Sequence, residues 1–319
     1  MQRWGVTFPL ESVPLREHKE WLRELADLGY TDAWCSEARD LDGFVPLALA
    51  AEWEPRLRLG CAVLPVQTRG PTVLAMSAAA MSLAAPGRFV LGLGSSSDYI
   101  VSMQNARPYE KPYTACRDAV RFLRRALGGE DANGDYETFR VRGFRLGRTL
   151  DSPPPIFLAA LRPRMLALAG READGVFLNY LAPDDYPTVL PIVREAGPDT
   201  EIAQRIQICL TDDPEPAYRE GRHSIAAYLA VAGYRAHQEW LGHGELFEEM
   251  WSHIDKGDMR AARASIPDAA VDRFYVIGGV EKCREAIQEF LDAGLETPVL
   301  TFVEGSRDPR EMARLLAPR

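Results

Sequence analysis

The segment from residue 87 to residue 97 reads Gly87-Arg88-Phe89-Val90-Leu91-Gly92-Leu93-Gly94-Ser95-Ser96-Ser97. Its Phe-Val-Leu run predicts a short buried strand, and glycines and serines follow where that strand would end. Glycines at the exit of a strand let the backbone approach a ligand closely, and serines add hydroxyls and amides. The segment is not a Rossmann fingerprint, because serines follow Gly94 and no third glycine opens a helix. It also fits an ordinary tight turn, so the surrounding pattern has to decide between a turn and a ligand site.

Strand and helix patterns alternate along most of the chain. Strands are predicted at residues 4–8, 32–36, 57–64, 89–93, 156–160, 175–179, 201–210 and 298–303, with amphipathic or small-residue helices between them. Eight strands that alternate with helices predict a parallel sheet closed into a (β/α)8 TIM barrel, and a doubly wound open sheet is the alternative. Two insertions interrupt the alternation, a hairpin at 137–146 and a helical segment at about 212–272. We therefore expect residues 1–319 to form a single barrel domain with insertions.

Composition excludes several classes of function. A net charge of -9 argues against a nucleic-acid surface, which would need a basic face. The five cysteines are scattered and form no Cys-x-x-Cys pair, which argues against a zinc site or a disulfide framework and suits a reducing compartment. The chain starts without a signal-peptide pattern and has no apolar run long enough to cross a membrane. We expect a cytoplasmic protein without a membrane or nucleic-acid partner.

The active site of such a barrel lies at the carboxyl ends of the strands. The residues expected there carry amides, hydroxyls, carboxylates and guanidinium groups, as in the 36–42, 92–97, 159–164 and 179–180 segments. These segments lack the His-x-His pattern of metal-dependent barrel hydrolases, and they show no Ser, His and Asp set that would indicate a catalytic triad. We therefore expect no metal, and a cofactor that carries the chemistry for a small-molecule substrate.

Two blocks of sequence resemble the luciferase-like monooxygenase superfamily, and within it the branch that uses the deazaflavin coenzyme F420. The first runs from Trp-Cys-Ser-Glu-Ala at 34–38 through Thr-Arg-Gly-Pro at 68–71 to the 87–97 segment. The second runs from Pro-Ile-Phe-Leu-Ala-Ala-Leu-Arg-Pro-Arg-Met at 155–165 to Ala-Asp-Gly at 173–175. A third, weaker block covers 277–281 and 292–295, and the 212–272 segment matches least.

The resemblance implies a set of cofactor-binding residues. A cis peptide bond at Ala62-Val63 would press against the ring system, and small residues of the fourth strand would line the ribityl chain. The phosphate would lie at the helix start near Leu161, where free amides, the helix dipole and Arg164 favour an anion. Arg162 either covers this phosphate or is solvated. The full set is Ser36, Ala62, Val63, Gly92, Gly94, Ser96, Ser97, Ala159, Ala160, Leu161, Arg162, Arg164 and Asn179.

Glu37 is the acid–base candidate, with Asp42 as a second carboxylate. The alternatives are structural: Glu37 would pair with Arg39 or Arg69, and Asp42 would cap the helix that follows. Many flavin-using relatives carry a Glu-His-His run here, whereas this chain reads Glu37-Ala38-Arg39. This difference favours the deazaflavin branch over the FMN-dependent one.

The resemblance thus implies a coenzyme F420-dependent oxidoreductase. Hydride would move between C5 of the deazaflavin and a small organic substrate, with reduction of an activated C=C or C=O as the expected direction. One alternative is an FMN-dependent luciferase-like monooxygenase, and a second is a non-catalytic flavin-binding barrel. A homodimer that forms through outer helices is a further expectation from the resemblance.

Overall fold

A closed barrel of eight parallel strands forms the centre of the molecule. The computed structural model describes residues 2–11, 13–38, 40–303 and 307–318. The barrel strands are β1 (Gly5–Thr7), β2 (Asp32–Cys35), β3 (Arg58–Cys61), β5 (Phe89–Gly94), β8 (Ile156–Ala159), β9 (Gly175–Leu178), β10 (Glu201–Leu210) and β12 (Thr297–Phe302). Each strand pairs in parallel with the next, and β1 with β12 completes the ring. The predicted TIM barrel is confirmed, and the open sheet is excluded because its edges would be unpaired.

Helices connect the strands. They are α1 (His18–Asp27), α2 (Val45–Trp53), α3 (Pro71–Ala84), α4 (Pro112–Leu127), α5 (Pro163–Glu172), α6 (Tyr186–Ala196), α7 (Glu215–Leu229), α8 (Ala232–Trp240), α9 (Gly244–Asp255), α10 (Met259–Ala264), α11 (Asp268–Asp272), α12 (Val280–Asp292) and α13 (Pro309–Leu315). Among the described residues, none of these helices has both the length and the apolar character of a membrane span.

In the described part of the chain, four short strands lie outside the eight that the sequence predicts. β4 (Leu64–Pro65) pairs with the end of β5, and β11 (Tyr275–Gly278) pairs with the second half of β10. The hairpin consists of β6 (Gly134–Asp135) and β7 (Arg140–Val141), so it begins before the predicted 137–146 segment. β11 matters for the site because it widens the sheet on the side where α7–α11 pack.

Aromatic side chains fill the middle of the barrel, and glycines on neighbouring strands make room for them. The rings of Trp34 and Phe177 lie 5.2 Å apart, and Phe157 packs against the same indole at 5.7 Å. A Cβ on Gly60 would come within 2.3 Å of the Trp34 ring, and one on Gly175 within 2.4 Å of Phe157. These two glycines are therefore required by packing inside the barrel.

A buried ion network closes the amino-terminal end of the barrel. Arg58 bonds to both carboxylate oxygens of Glu201 at 2.7 and 2.8 Å and also pairs with the fully buried Asp32. Burial acts to raise the pKa of Glu201, but the hydrogen bond and charge of Arg58 outweigh it and hold that pKa below its usual range. Paired charges occupy this end, and the active site of such a barrel lies at the carboxyl end.

Helices α7 to α11 enclose a hydrophobic cluster of their own. Phe247, Trp251 and Ile225 are buried in it, and Phe247 stacks on Phe274 at 6.0 Å. Tyr180, which follows the barrel strand β9, belongs to the same cluster. The helical segment is therefore packed directly against the mouth of the barrel.

Candidate active site

Arg69 holds the two predicted catalytic carboxylates together. It forms a short ion pair with Glu37, and its Nη2 atom lies 2.8 Å from Oδ2 of Asp42. The second oxygen of Glu37 accepts a hydrogen bond of 2.8 Å from the amide of Gly43. Both oxygens of Glu37 are thus engaged, and its side chain is 18% exposed, so it is accessible but fixed in position.

Asp42 makes the contacts of a helix cap. Its Oδ1 atom accepts hydrogen bonds from the amides of Phe44 at 3.1 Å and Val45 at 2.7 Å, where α2 begins. This is the structural alternative stated for Asp42, and it leaves the other oxygen of the carboxylate for Arg69. Asp42 therefore positions Arg69 from a fixed point on the loop, and Arg69 in turn positions Glu37.

The end of β3 and the end of β5 touch at the predicted ring-binding surface. The Ala62–Val63 peptide bond is cis, as the resemblance implies. A Cβ on Gly92 would lie 1.7 Å from the carbonyl oxygen of Cys61, and one on Gly94 would lie 2.6 Å from Cγ2 of Val63. The sequence interpretation assigned the small size of Gly92 and Gly94 to a cofactor chain. In the structure, the Cys61–Val63 backbone and side chains already require glycine at both positions.

The serines after β5 start a helical turn. Ser97 Oγ accepts a hydrogen bond of 3.3 Å from the amide of Ile100, at the beginning of the π-helical turn Tyr99–Gln104. Ser96 has a positive φ of 58°, and its carbonyl oxygen accepts a hydrogen bond of 3.2 Å from the hydroxyl of Tyr109. Both serines are half-buried and lie directly beyond the strand, beside the mouth.

The N-terminus of α5 is the candidate phosphate site. No side chain caps this helix, and its first turn holds no acidic residue. Among the described residues, the amides of Leu161 and Arg162 have no hydrogen-bond acceptor. Arg162 and Arg164 are exposed beside them, and the Arg164 guanidinium lies 4.6 Å from the centre of the Tyr113 ring. Free amides, a helix dipole and two cations fit an anionic group such as a phosphate.

The remaining predicted residues lie between these two regions. A Cβ on Gly94 would be 3.4 Å from the Cβ of Ala159, so β8 adjoins the ring-binding surface, and Ala160 is buried one residue further on. Asn179, at the end of β9, donates a hydrogen bond of 3.1 Å to the hydroxyl of Tyr234 on α8. Ser36 follows β2 and is exposed.

Two residues that the sequence interpretation did not consider also face the mouth, Arg205 on β10 and Tyr234 on α8. Nη2 of Arg205 donates a hydrogen bond of 3.3 Å to the carbonyl oxygen of Ala62. The alternation of side chains along β10 could have revealed it, because Glu201, Ala203 and Arg205 share one face of the strand. For Tyr234, no sequence signal distinguished it from other helical tyrosines.

The fold and the site together describe a parallel barrel with a fixed carboxylate and a candidate anion site at its open end. The sequence profile of the luciferase-like monooxygenase family matches residues 4–297, and the chain belongs to that family. It is similar to the 5,10-methylenetetrahydromethanopterin reductase of Methanolobus tindarius, with 25% identity over 91% of this chain and 92% of that one. The F420-dependent glucose-6-phosphate dehydrogenase of Gordonia bronchialis is 26% identical over 85% of this chain and 81% of its own length.

A solved structure supports the fold assignment. The coenzyme F420-dependent tetrahydromethanopterin reductase of Methanopyrus kandleri superposes with a TM-score of 0.81 at 20% identity, covering 99% of this chain and 97% of that one. The chain is therefore an oxidoreductase of the luciferase-like barrel family.

Proposed function

We propose that this protein is a coenzyme F420-dependent oxidoreductase that acts on a small organic substrate. The observation that carries the proposal is the uncapped N-terminus of α5, with the free amides of Leu161 and Arg162, on the same open end of the barrel as Glu37. The F420-dependent glucose-6-phosphate dehydrogenase among the relatives of the chain supports this choice of cofactor.

The residues present fit a phosphate-bearing deazaflavin. The amides at the start of α5, with Arg162 and Arg164, would hold the phosphate, and Ser96 and Ser97 would adjoin the connecting chain. Ala62, Val63 and Ala159 would lie against the ring. When bound, the deazaflavin would supply or accept a hydride at C5. The protein would orient the reactants, exclude water and transfer the proton.

Glu37 would manage the proton that accompanies the hydride. In the oxidative direction its carboxylate accepts the proton from a substrate hydroxyl, and in the reductive direction it returns a proton to the reduced C=O or C=C. Arg69 fixes the orientation of Glu37, and Asp42 fixes Arg69. We propose reduction of an activated C=C or C=O as the direction, in which Glu37 would return the proton.

A pair of titrations tests the cofactor. The purified protein is mixed with F420 and, separately, with FMN, and binding is followed by the fluorescence of each cofactor. We expect F420 to bind at micromolar or lower concentration and FMN to bind at least tenfold more weakly. Micromolar binding of FMN without binding of F420 would instead identify an FMN-dependent monooxygenase.

A substitution tests the acid–base role. Glu37→Gln keeps the shape and the hydrogen bond to Gly43 but cannot carry the proton, so turnover should fall by about 100-fold or more while F420 affinity stays unchanged. Glu130→Gln, at an exposed position with a 70% exposed side chain, is the matched control. Unchanged turnover in Glu37→Gln would remove Glu37 from the mechanism.

We also propose that the protein forms a homodimer through α2 and α3. Each helix exposes apolar side chains: Val45 is 58% exposed, Met76 is 49% exposed, and Val73 and Leu83 are each 48% exposed. Apolar side chains gathered on one surface are typical of interfaces. Met76→Asp should shift the protein toward monomer in sedimentation, whereas Met103→Asp, outside both helices, should not.

A cytoplasmic location is consistent with the cysteines. All five cysteines are buried, and buried thiols are stable in a reducing compartment. Cell fractionation with a compartment marker tests this proposal.

A further inference from the structure

Arg205 lies inside the barrel, one layer above the aromatic side chains. It follows Ala203 by two residues on β10, and Ala203 packs in the cluster of Trp34 and Phe157. Its guanidinium is 5.9 Å from the centre of the Phe177 ring, on the side of the open end. Its hydrogen bond to the carbonyl oxygen of Ala62 places it beside the surface proposed for the cofactor ring.

The charge of Arg205 has no counter-ion among the described residues. Its Nε atom is buried and has no hydrogen-bond partner, and the 3.3 Å bond to Ala62 is its one hydrogen bond in the described part of the chain. Arg58, the other arginine inside the barrel, is bonded to Asp32 and to both oxygens of Glu201. Arg205 is half-buried, and a partly desolvated cation without a counter-ion is stabilised by an oxygen ligand.

Polar and aromatic groups surround the same space. Tyr234, whose hydroxyl accepts a hydrogen bond from Asn179, lies within electrostatic reach of Arg205: burial raises the pKa of Tyr234, and the positive charge of Arg205 acts in the opposite direction. Tyr228 is 39% exposed and its ring lies 4.7 Å from that of Tyr180. A cation, an amide and partly exposed aromatic rings are suited to a substrate with one anionic end and a flat apolar body.

We propose that Arg205 binds the carboxylate of the substrate and so selects small organic acids with an apolar or aromatic body. This inference rests on the proposed function for the reaction, but the binding itself needs only the barrel mouth. The guanidinium would form charge-assisted hydrogen bonds to the carboxylate, and Ala62 would keep the guanidinium oriented. The substrate carbon that exchanges hydride would then lie between Arg205 and Glu37.

Benzoate and its neutral analogue benzamide are the probes. Each is titrated into the protein without cofactor, at constant ionic strength, and binding is followed by tryptophan fluorescence and by the melting temperature. We expect benzoate to bind the wild type in preference to benzamide. Arg205→Gln should weaken the binding of benzoate by about 10- to 100-fold and leave the affinity for benzamide unchanged. The benzoate affinity of Arg205→Lys should lie between those of the wild type and Arg205→Gln, because lysine keeps the charge and loses the planar guanidinium.

Controls separate the possible outcomes. Arg140→Gln removes one charge from a side chain that is 72% exposed on the hairpin, and it should bind benzoate as the wild type does. Equal binding of benzoate and benzamide by the wild type, or wild-type benzoate affinity in Arg205→Gln, would overturn the proposal. If Arg205→Gln does not fold, the proposal is tested by the benzoate affinity of Arg205→Lys and by the preference of the wild type for benzoate over benzamide. Loss of F420 affinity in Arg205→Gln with unchanged benzoate affinity would assign the cation to the cofactor. Failure of F420 to bind the wild type would instead reject the proposed function and leave the benzoate result intact.

Discussion

Replacing Gly92 by alanine should destabilise the barrel at the point where β5 crosses the end of β3. The added Cβ would lie 1.7 Å from the carbonyl oxygen of Cys61 and 2.9 Å from its carbonyl carbon. Carbon–oxygen contacts settle at more than about 3 Å, so the two strands must separate by more than about 1 Å. Both partners are backbone in buried strands, and no side-chain rotation can relieve the contact.

The cost follows from overpacking and from lost strand pairing. Overpacking of a buried site costs about 1–3 kcal/mol, and the adjacent β3–β5 pairing, which includes the 2.7 Å bond from Leu59 N to Arg88 O, is strained as well. Together we expect a loss of about 3–5 kcal/mol in the free energy of unfolding. With an unfolding entropy of about 2 cal/mol/K per residue, this loss lowers the melting temperature by about 5–8 °C.

Thermal unfolding followed by circular dichroism measures the effect, with two comparison variants. Gly233→Ala, where a Cβ would meet no atom within 4 Å, should keep or slightly raise the melting temperature because alanine favours α8. The nearest atoms to a Cβ on Gly94 belong to the side chains of Val63 and Ala159, so Val63→Ala, which removes the 2.6 Å contact with Cγ2, should partly rescue Gly94→Ala. The nearest atom to a Cβ on Gly92 is a backbone oxygen, so no side-chain truncation should rescue Gly92→Ala. A melting temperature of Gly92→Ala within about 1 °C of the wild type would refute the packing argument.

Three further perturbations have defined outcomes. Asp42→Ala should cost about 1 kcal/mol of stability in denaturant titrations, because the hydrogen bonds that cap α2 are lost, and it should also reduce turnover. Asp42→Asn should recover most of the stability but not the turnover. Burial lowers the pKa of His237 to about 4, so between pH 6.5 and 4 the unfolded chain binds a proton that the folded chain does not. The free energy of unfolding should therefore fall by about 3 kcal/mol between pH 6.5 and about 4. Urea titrations at each pH measure this dependence, and His237→Phe should make it weaker. Arg58→Met removes the arginine that bonds both Asp32 and Glu201, and it leaves the buried Asp32 paired with only the more exposed Arg3 at 3.4 Å. It should destabilise the protein by about 3–5 kcal/mol, whereas a loss below 1 kcal/mol in urea unfolding would contradict the role of the network.

The barrel could be predicted because its signals are local. Each of the eight barrel strands is a short apolar run followed by a helical pattern, and closure follows from their number. β11 was missed because its four residues lie directly after the helical 212–272 segment and carry no alternation. β4 has only two residues, and it forms because the end of β5 offers a partner.

The site was less predictable, because its contacts join distant parts of the sequence. Glu37 and Asp42 could be found at the end of a strand, and Arg69 was one of two arginines proposed as the partner of Glu37. The choice of Arg69, and its second ion pair with Asp42, became visible only in the fold. Gly92 was predicted to line the chain of a cofactor, and the structure adds a packing reason for glycine there, the approach of Cys61, which is visible only in three dimensions.

The two arginines inside the barrel show how one strand can serve both stability and binding. Side chains at every second position of β10 point inward, which gives Glu201 at the closed end and Arg205 at the open end. At the closed end Glu201 neutralises Arg58, so the charges there are satisfied by the protein itself. At the open end no carboxylate of the described residues pairs with Arg205, and two of its nearest neighbours, Ala62 and Phe177, carry no charge. A barrel that needed Arg205 only for stability would pair it as it pairs Arg58, and the absence of that pairing points to a partner that comes from solution.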